Sequence, residues 1–215
     1  MPARKVDLPG AVPPELAAGL ARIRAELEVP EAFEAQVVAA AEAAVAAARL
    51  PELDRTDLEL VTIDPPGARD LDQALHIARA GDGFVVSYAI ADVAAFVSAG
   101  DPVDREAHRR GMTFYAPDRR TPLHPPALSE GAASLLPDEV RPALLWTLRL
   151  DAEGEMTEAE VVRARVRSRE QLDYGQAQAE IDGGSAREAL ALLAVVGRSL
   201  ESRERERGGV SLPLP

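Results

Sequence analysis

The stretch Thr62-Ile63-Asp64-Pro65-Pro66-Gly67-Ala68-Arg69-Asp70-Leu71-Asp72-Gln73-Ala74-Leu75 decides how the chain is read. Pro65-Pro66-Gly67 can neither continue a strand nor begin a regular helix, so the chain leaves an apolar run at 58–63, turns, and re-enters order near Leu71. Asp64 then sits at a strand end. Asp70 and Asp72 are two apart, so on extended backbone both carboxylates point to one side. Carboxylates gathered without lysine repel one another unless a hard cation fills the space, and Mg²⁺ takes one or two carboxylates plus substrate phosphate. The pattern points to metal-assisted phosphoryl chemistry. The competing reading is three turn aspartates bonded to their own backbone in water. A calcium loop is excluded, because its glycine and its glutamate at the twelfth position are missing.

Outward from this stretch, the 215 residues suffice for one good core or a domain with an appendage, and 47% hydrophobic with 28% charged residues is ordinary globular composition. There is no cysteine, so disulfides and zinc–thiolate sites are excluded, and residues 1–12 lack the apolar core of a signal peptide. The chain is read as cytoplasmic. Its most apolar run, 37–50, is mostly alanine broken by Glu42 and Arg49, so no segment is expected to span a membrane. A net charge of −12 argues against bulk attraction to nucleic acid, although a local basic groove remains compatible with it. Lys5 is the only lysine among 24 basic residues; arginine grips phosphate bidentately, but such a bias also arises from genome composition.

Residues 1–12 read as unstructured. Pro13-Pro14 lead into a helix with Leu16, Leu20, Ile23 and Leu27 at helical spacing, and a second helix after Pro30 carries Phe33, Val37, Ala41 and Val45. These form a helical hairpin at 13–50, within an N-terminal segment 1–55 that reads as packing support. The remainder, 56–215, reads as α+β. Residues 73–78 and 84–90 are strands joined by the turn Gly81-Asp82-Gly83, which sets the acids at a sheet margin. His76 within the first strand reads as packing and not as a ligand. Leu144, Trp146, Leu148 and Leu150 alternate on one face of a further strand. In the next strand Arg163, Arg165 and Arg167 share a face, either solvated and balanced by Glu158 and Glu160, or open to phosphate. Residues 186–207 form a long helix with a leucine stripe and a charged end.

Residues 62–75, followed by Tyr88-Ala89-Ile90-Ala91-Asp92-Val93-Ala94-Ala95-Phe96-Val97, resemble the opening motifs of the catalytic RNB domain of ribonuclease II. That family includes ribonuclease R and the catalytic subunit of the eukaryotic exosome, processive 3′→5′ exoribonucleases. The likeness continues through residues 102–111, Met112-Thr113-Phe114-Tyr115-Ala116-Pro117-Asp118-Arg119, 122–131, Ser134-Leu135-Leu136-Pro137 and Arg141-Pro142-Ala143-Leu144, in order and at family intervals from about residue 58 to 178. The resemblance implies a mixed, largely antiparallel sheet with flanking helices, Mg²⁺ as cofactor and single-stranded RNA as partner. It places Asp64, Asp70 and Asp72 on three of four acidic residues that hold Mg²⁺ and the scissile phosphate. The fourth falls on Gln73, whose neutral carbonyl oxygen can touch a metal or its water but brings no charge. Tyr115 falls on the tyrosine that stacks at the RNA 3′ end, and Tyr174 on another that lines the channel.

The family's later arginine-containing motif, a further aromatic wall and an S1-type barrel find no match, so the chain reads as the N-terminal half of the domain, weak or inactive by itself. Two alternatives stand beside an exoribonuclease: a catalytically impaired RNA-binding relative or scaffold, which Gln73 permits, and a metal-dependent nucleotide-sugar transferase built on Asp70-Leu71-Asp72. The last lacks a glycine-rich diphosphate cradle.

Overall fold

A computed structural model describes residues 13–184 and 187–210. Expectations for residues 1–12, the start of the last helix at 186 and the close of the chain at 211–215 lie outside the described residues. In chain order the elements are α1 (Pro14–Glu26), α2 (Ala35–Ala47), β1 (Leu60–Ile63), β2 (Gln73–Ala80), β3 (Gly83–Ala91), α3 (Pro102–Arg110), β4 (Phe114–Tyr115), β5 (Arg120–Thr121), β6 (Val140–Leu150), β7 (Met156–Leu172), α4 (Tyr174–Asp182) and α5 (Glu188–Glu206). The class is α+β, with a mainly antiparallel sheet.

The sheet closes on itself. Its order is β1-β2-β3-β6-β7, with β7 returning to pair β1 in parallel, from Leu60 opposite Ser168 to Ile63 opposite Leu172. Every other pairing in the barrel is antiparallel. Five strands enclose little space, and the interior is filled by small or slim side chains: Ala74, Ala89, Ala143 and Ala164 with Leu60, Leu145 and Val166. Hence the face of β6 that points inward carries Ala143 and Leu145. The more apolar alternation of Leu144, Trp146, Leu148 and Leu150 lies outside, where Leu150, with Ile77 and Phe84, packs against Leu192 and Val196 of α5.

The arginine row of β7 also faces outward, yet its partners are not those the local sequence suggests. Arg163 pairs with Asp92 at 3.1 Å and Arg165 with Asp54 at 2.9 Å, whereas Glu158 pairs with Arg149. His76 stands opposite Ser87 in the β2–β3 ladder.

The two N-terminal helices form, but they do not make a hairpin with a shared apolar face. The α2 stripe of Val37 and Ala41 packs with Phe33 against Val103 of α3 and Leu128. Helix α1 buries no residue: Leu16, Ile23 and Leu27 are exposed, and the helix is tied down by Arg24, whose guanidinium donates to both oxygens of Asp118 at 2.7 and 2.9 Å. Gly83, at the tight end of the β2–β3 hairpin, is a close-approach glycine, since a Cβ there would run into the Leu150 carbonyl. Gly83→Ala is expected to cost about 1–3 kcal/mol, measurable by urea denaturation.

Candidate active site

The acids gather at one end of the barrel because of strand direction. Asp64 follows the last residue of β1, Leu172 ends β7 alongside it, and the antiparallel β2 starts there at Gln73. The connecting loop is fastened along its length. Asp64 N–H donates to the Leu172 carbonyl at 3.0 Å, and the Gln171 side-chain amide donates to the Ala68 carbonyl at 2.9 Å. Ser134, 1% exposed, uses one hydroxyl twice, donating to the Arg69 carbonyl at 2.6 Å and accepting from Leu71 N–H at 3.0 Å. Leu71 is wholly buried, its carbonyl accepts from Leu135 N–H, and the Asp72 carbonyl accepts from Ala91 N–H. With Leu71 driven inward, the alternation of extended backbone turns Asp70 and Asp72 outward together. Ser134→Ala removes both hydroxyl bonds and strands a buried N–H. The expected loss is about 1–3 kcal/mol, read by chemical denaturation, with faster amide exchange at Leu71.

The carboxylates are near enough to feel one another's charge. Burial pushes the Asp64 carboxyl above the usual carboxylate range, and the charges of Asp72 and Asp70 push the same way. Asp72, although open to solvent on one side, is also raised, by desolvation and by the Asp70 charge, against a lowering pull from Arg120. One oxygen of Asp64, Oδ2, is buried without a hydrogen-bond partner. Asp70 is occupied: Arg120 of β5 bonds Asp70 through Nη1 and Glu130 through Nη2. Gln73 is engaged too, its side-chain carbonyl accepting from the Tyr88 hydroxyl. The Tyr88 phenol is itself raised by burial and by the Asp64 charge.

Tyr115 is 76% exposed and lies beside the cluster, opposite Arg120 in the β4–β5 ladder, and Arg120 in turn holds Asp70. Tyr174 opens α4 two residues beyond Leu172 and is 61% exposed, at the same end of the barrel. Asp173 caps this helix, accepting from Gln176 N–H while the Gln176 side chain accepts from Asp173 N–H. The structure therefore brings Asp64, Asp70, Asp72 and Tyr115 together, sets Gln73 on Tyr88, and holds Tyr174 at the rim. Local sequence did not point to Arg120, Glu130 or Tyr88. Tyr88 and Glu130 lie inside stretches that resemble the family, but Arg120 of β5 does not, and the ten-residue interval between Arg120 and Glu130 carries no spacing signal.

Among the described residues no three His, Cys, Asp or Glu side chains converge closely enough to hold a metal ion by themselves. Mg²⁺ asks for less, one or two carboxylates completed by substrate phosphate and water. Asp64, with its orphaned buried oxygen, and Asp72, held ionised only at a cost, fit that requirement. No helix among the described residues is long and apolar enough to cross a membrane.

Known proteins agree with this architecture. The chain is 33% identical over 191 residues to ribonuclease R of Escherichia coli strain K12, covering 85% of this chain and 24% of that relative. Its fold matches Mycoplasma genitalium RNase R, solved in complex with ribose-methylated single-stranded RNA, at a TM-score of 0.84 and 23% identity, over 92% of this chain and 33% of that one. It also matches yeast Ssd1, described as a pseudonuclease, at a TM-score of 0.62 and 20% identity, over 81% of this chain and 21% of that one. The chain thus spans well under two thirds of the length of the proteins it resembles. The RNB domain pattern matches residues 53–215, the whole barrel and its acidic loop, and the chain belongs to the RNB domain family.

Proposed function

We propose that this chain carries the acidic centre of a 3′→5′ exoribonuclease that hydrolyses single-stranded RNA to mononucleotides with Mg²⁺. The observation that carries this reading is the cluster of Asp64, Asp70 and Asp72 at one end of the barrel, with the exposed ring of Tyr115 beside it. Asp64 and Asp72 would hold the ion, and Gln73 would contribute at most a neutral oxygen. The ion, when bound, lowers the pKa of a water and neutralises phosphoryl charge. The chain's own part is to fix the RNA. Every base has a π-face, so Tyr115 can seat a terminal base of any identity and set the register in which its phosphate meets the acids, with Tyr174 offering a second surface at the rim.

Tyr115→Ala is expected to change the length of the final RNA product while leaving hydrolysis measurable. Unchanged product lengths would remove Tyr115 from the substrate path. The central test adds Mg²⁺ and end-labelled single-stranded RNA to the purified 215-residue protein and follows mononucleotide release, with Asp72→Asn as control. Slow release abolished in the control supports the reading. RNA binding without metal-dependent release would favour the second reading, a binding relative that does not cleave. That reading draws on the neutral Gln73 in the acid cluster and on the likeness to Ssd1.

A further inference from the structure

The acid cluster contains a cation of its own. Arg120 reaches it from β5, about fifty positions along the chain from Asp70, and places its guanidinium between Asp70 and Glu130. Its side chain is 28% exposed, so it is neither sealed in the core nor free in solvent. Tyr115 stands opposite it in the β4–β5 ladder, so the guanidinium lies at the meeting point of the acids and the exposed ring. A guanidinium has five N–H donors in a fixed fork, and two bonds to carboxylates leave others to spare.

Asp64 and Asp72 remain available, Asp70 shares the single positive charge of Arg120 with Glu130, and Gln73 is neutral and already bonded to Tyr88. Two carboxylates and a phosphate suit one Mg²⁺. A second divalent ion would need Asp70, and would sit against a fixed positive charge.

We propose that Arg120 takes the place of a second divalent cation: it holds Asp70, limits the site to one metal ion, and offers its free N–H donors to an RNA phosphate beside Tyr115. This rests on the metal-dependent reading above. Phosphoryl transfer needs positive charge facing the non-bridging oxygens, and an arginine supplies it in a planar, bidentate form while leaving Asp64 and Asp72 to the metal. Arg120 is here a substrate-positioning residue.

The test is calorimetric titration of Mn²⁺ into the 215-residue protein as wild type, Arg120→Gln, Arg120→Lys and Asp72→Asn, with binding of a fluorescent single-stranded oligoribonucleotide measured in parallel. The expected result is one ion per wild-type chain, lost in Asp72→Asn. In Arg120→Gln the metal should bind roughly tenfold more tightly or with a second ion, because a repelling charge beside the acids is gone and Asp70 is released, while RNA affinity falls several-fold. Arg120→Lys keeps the charge and should keep wild-type metal affinity, recovering RNA binding in part, which a purely structural arginine would not do. Melting curves of each variant ensure that folded proteins are compared. Two ions per wild-type chain, or metal and RNA affinities indifferent to Arg120→Gln, overturn the proposal. A wild-type chain that binds no ion overturns the metal reading itself, whereas an Asp72-dependent ion that ignores Arg120 overturns this inference alone.

Discussion

Asp72→Asn is expected to lower Mg²⁺-dependent RNA hydrolysis by about 10²–10³-fold, the usual scale for removing one group that meets transition-state charge, while RNA affinity stays within a few-fold. The stacking surfaces at Tyr115 and Tyr174 are untouched by it. The same substitution should stabilise the metal-free fold. Burial first, then the Asp70 charge, hold the folded-state pKa of Asp72 above its unfolded value. A raised carboxyl binds its proton more tightly when folded, so ionisation opposes folding above that pKa, and the penalty fades as pH falls through it toward the ordinary value of about 4. In EDTA at neutral pH the variant should therefore melt higher than wild type, converge with it in acid, and fall behind when Mg²⁺ is added. Thermal melts across pH, with and without metal, read all three. A variant that loses rate and affinity together, or melts lower in EDTA, would take Asp72 out of the reacting centre.

The second large effect is structural. Glu106→Ala is expected to destabilise the protein by about 3–5 kcal/mol, the range for stripping one partner from a buried ion pair. Arg110 is 1% exposed and bonds Glu106 at 2.7 Å, while Arg109, half exposed, shares the same carboxylate at 2.6 Å. Hydrogen bonds from Arg109 and then Arg110 hold the Glu106 carboxyl below its usual range. Deleting that carboxylate frees Arg109 to turn to water. Arg110 has no such exit, since it is lodged over the Phe33 ring at 3.7 Å and donates to the Ala32 and Pro122 carbonyls. Its stranded charge would sit where α3 meets the chain entering α2. Chemical denaturation of Glu106→Ala beside Arg109→Ala checks the asymmetry. Equal losses would mean that the exposed arginine, not the buried one, carries the pair.

Local chemistry explains which parts could be read early. Gly81-Asp82-Gly83 between β-prone runs yields the β2–β3 hairpin, and Asp101-Pro102 starts α3, with Asp101 accepting from Asp104 N–H at 2.8 Å. The acidic loop was legible because Pro65-Pro66-Gly67 punctuates it and Leu71 divides two carboxylates. Barrel closure was not, since parallel pairing of Val61 with Glu170 leaves no mark in either segment. Nor was the inward face of β6, because apolar strength marks Leu144 and Trp146 while narrowness selects Ala143. In α1 the leucine spacing gave a helix but did not supply a partner to bury it.

The fastening of the acidic loop also has a bearing on the order of events in synthesis. Ala68 is held by Gln171, 103 residues later in the chain, and Asp64 by the neighbouring Leu172. At translation rates of about 5–20 residues per second, the loop waits roughly 5–20 s for the strand that fixes it. Pairings this distant close late, after loop entropy has been overcome. A nascent chain can therefore seat Asp70 and Asp72 on Ser134, Leu135 and Ala91 first, but it leaves Asp64 and Ala68 unpinned until β7 is complete, so the full acidic centre is assembled only when its last barrel strand has been made.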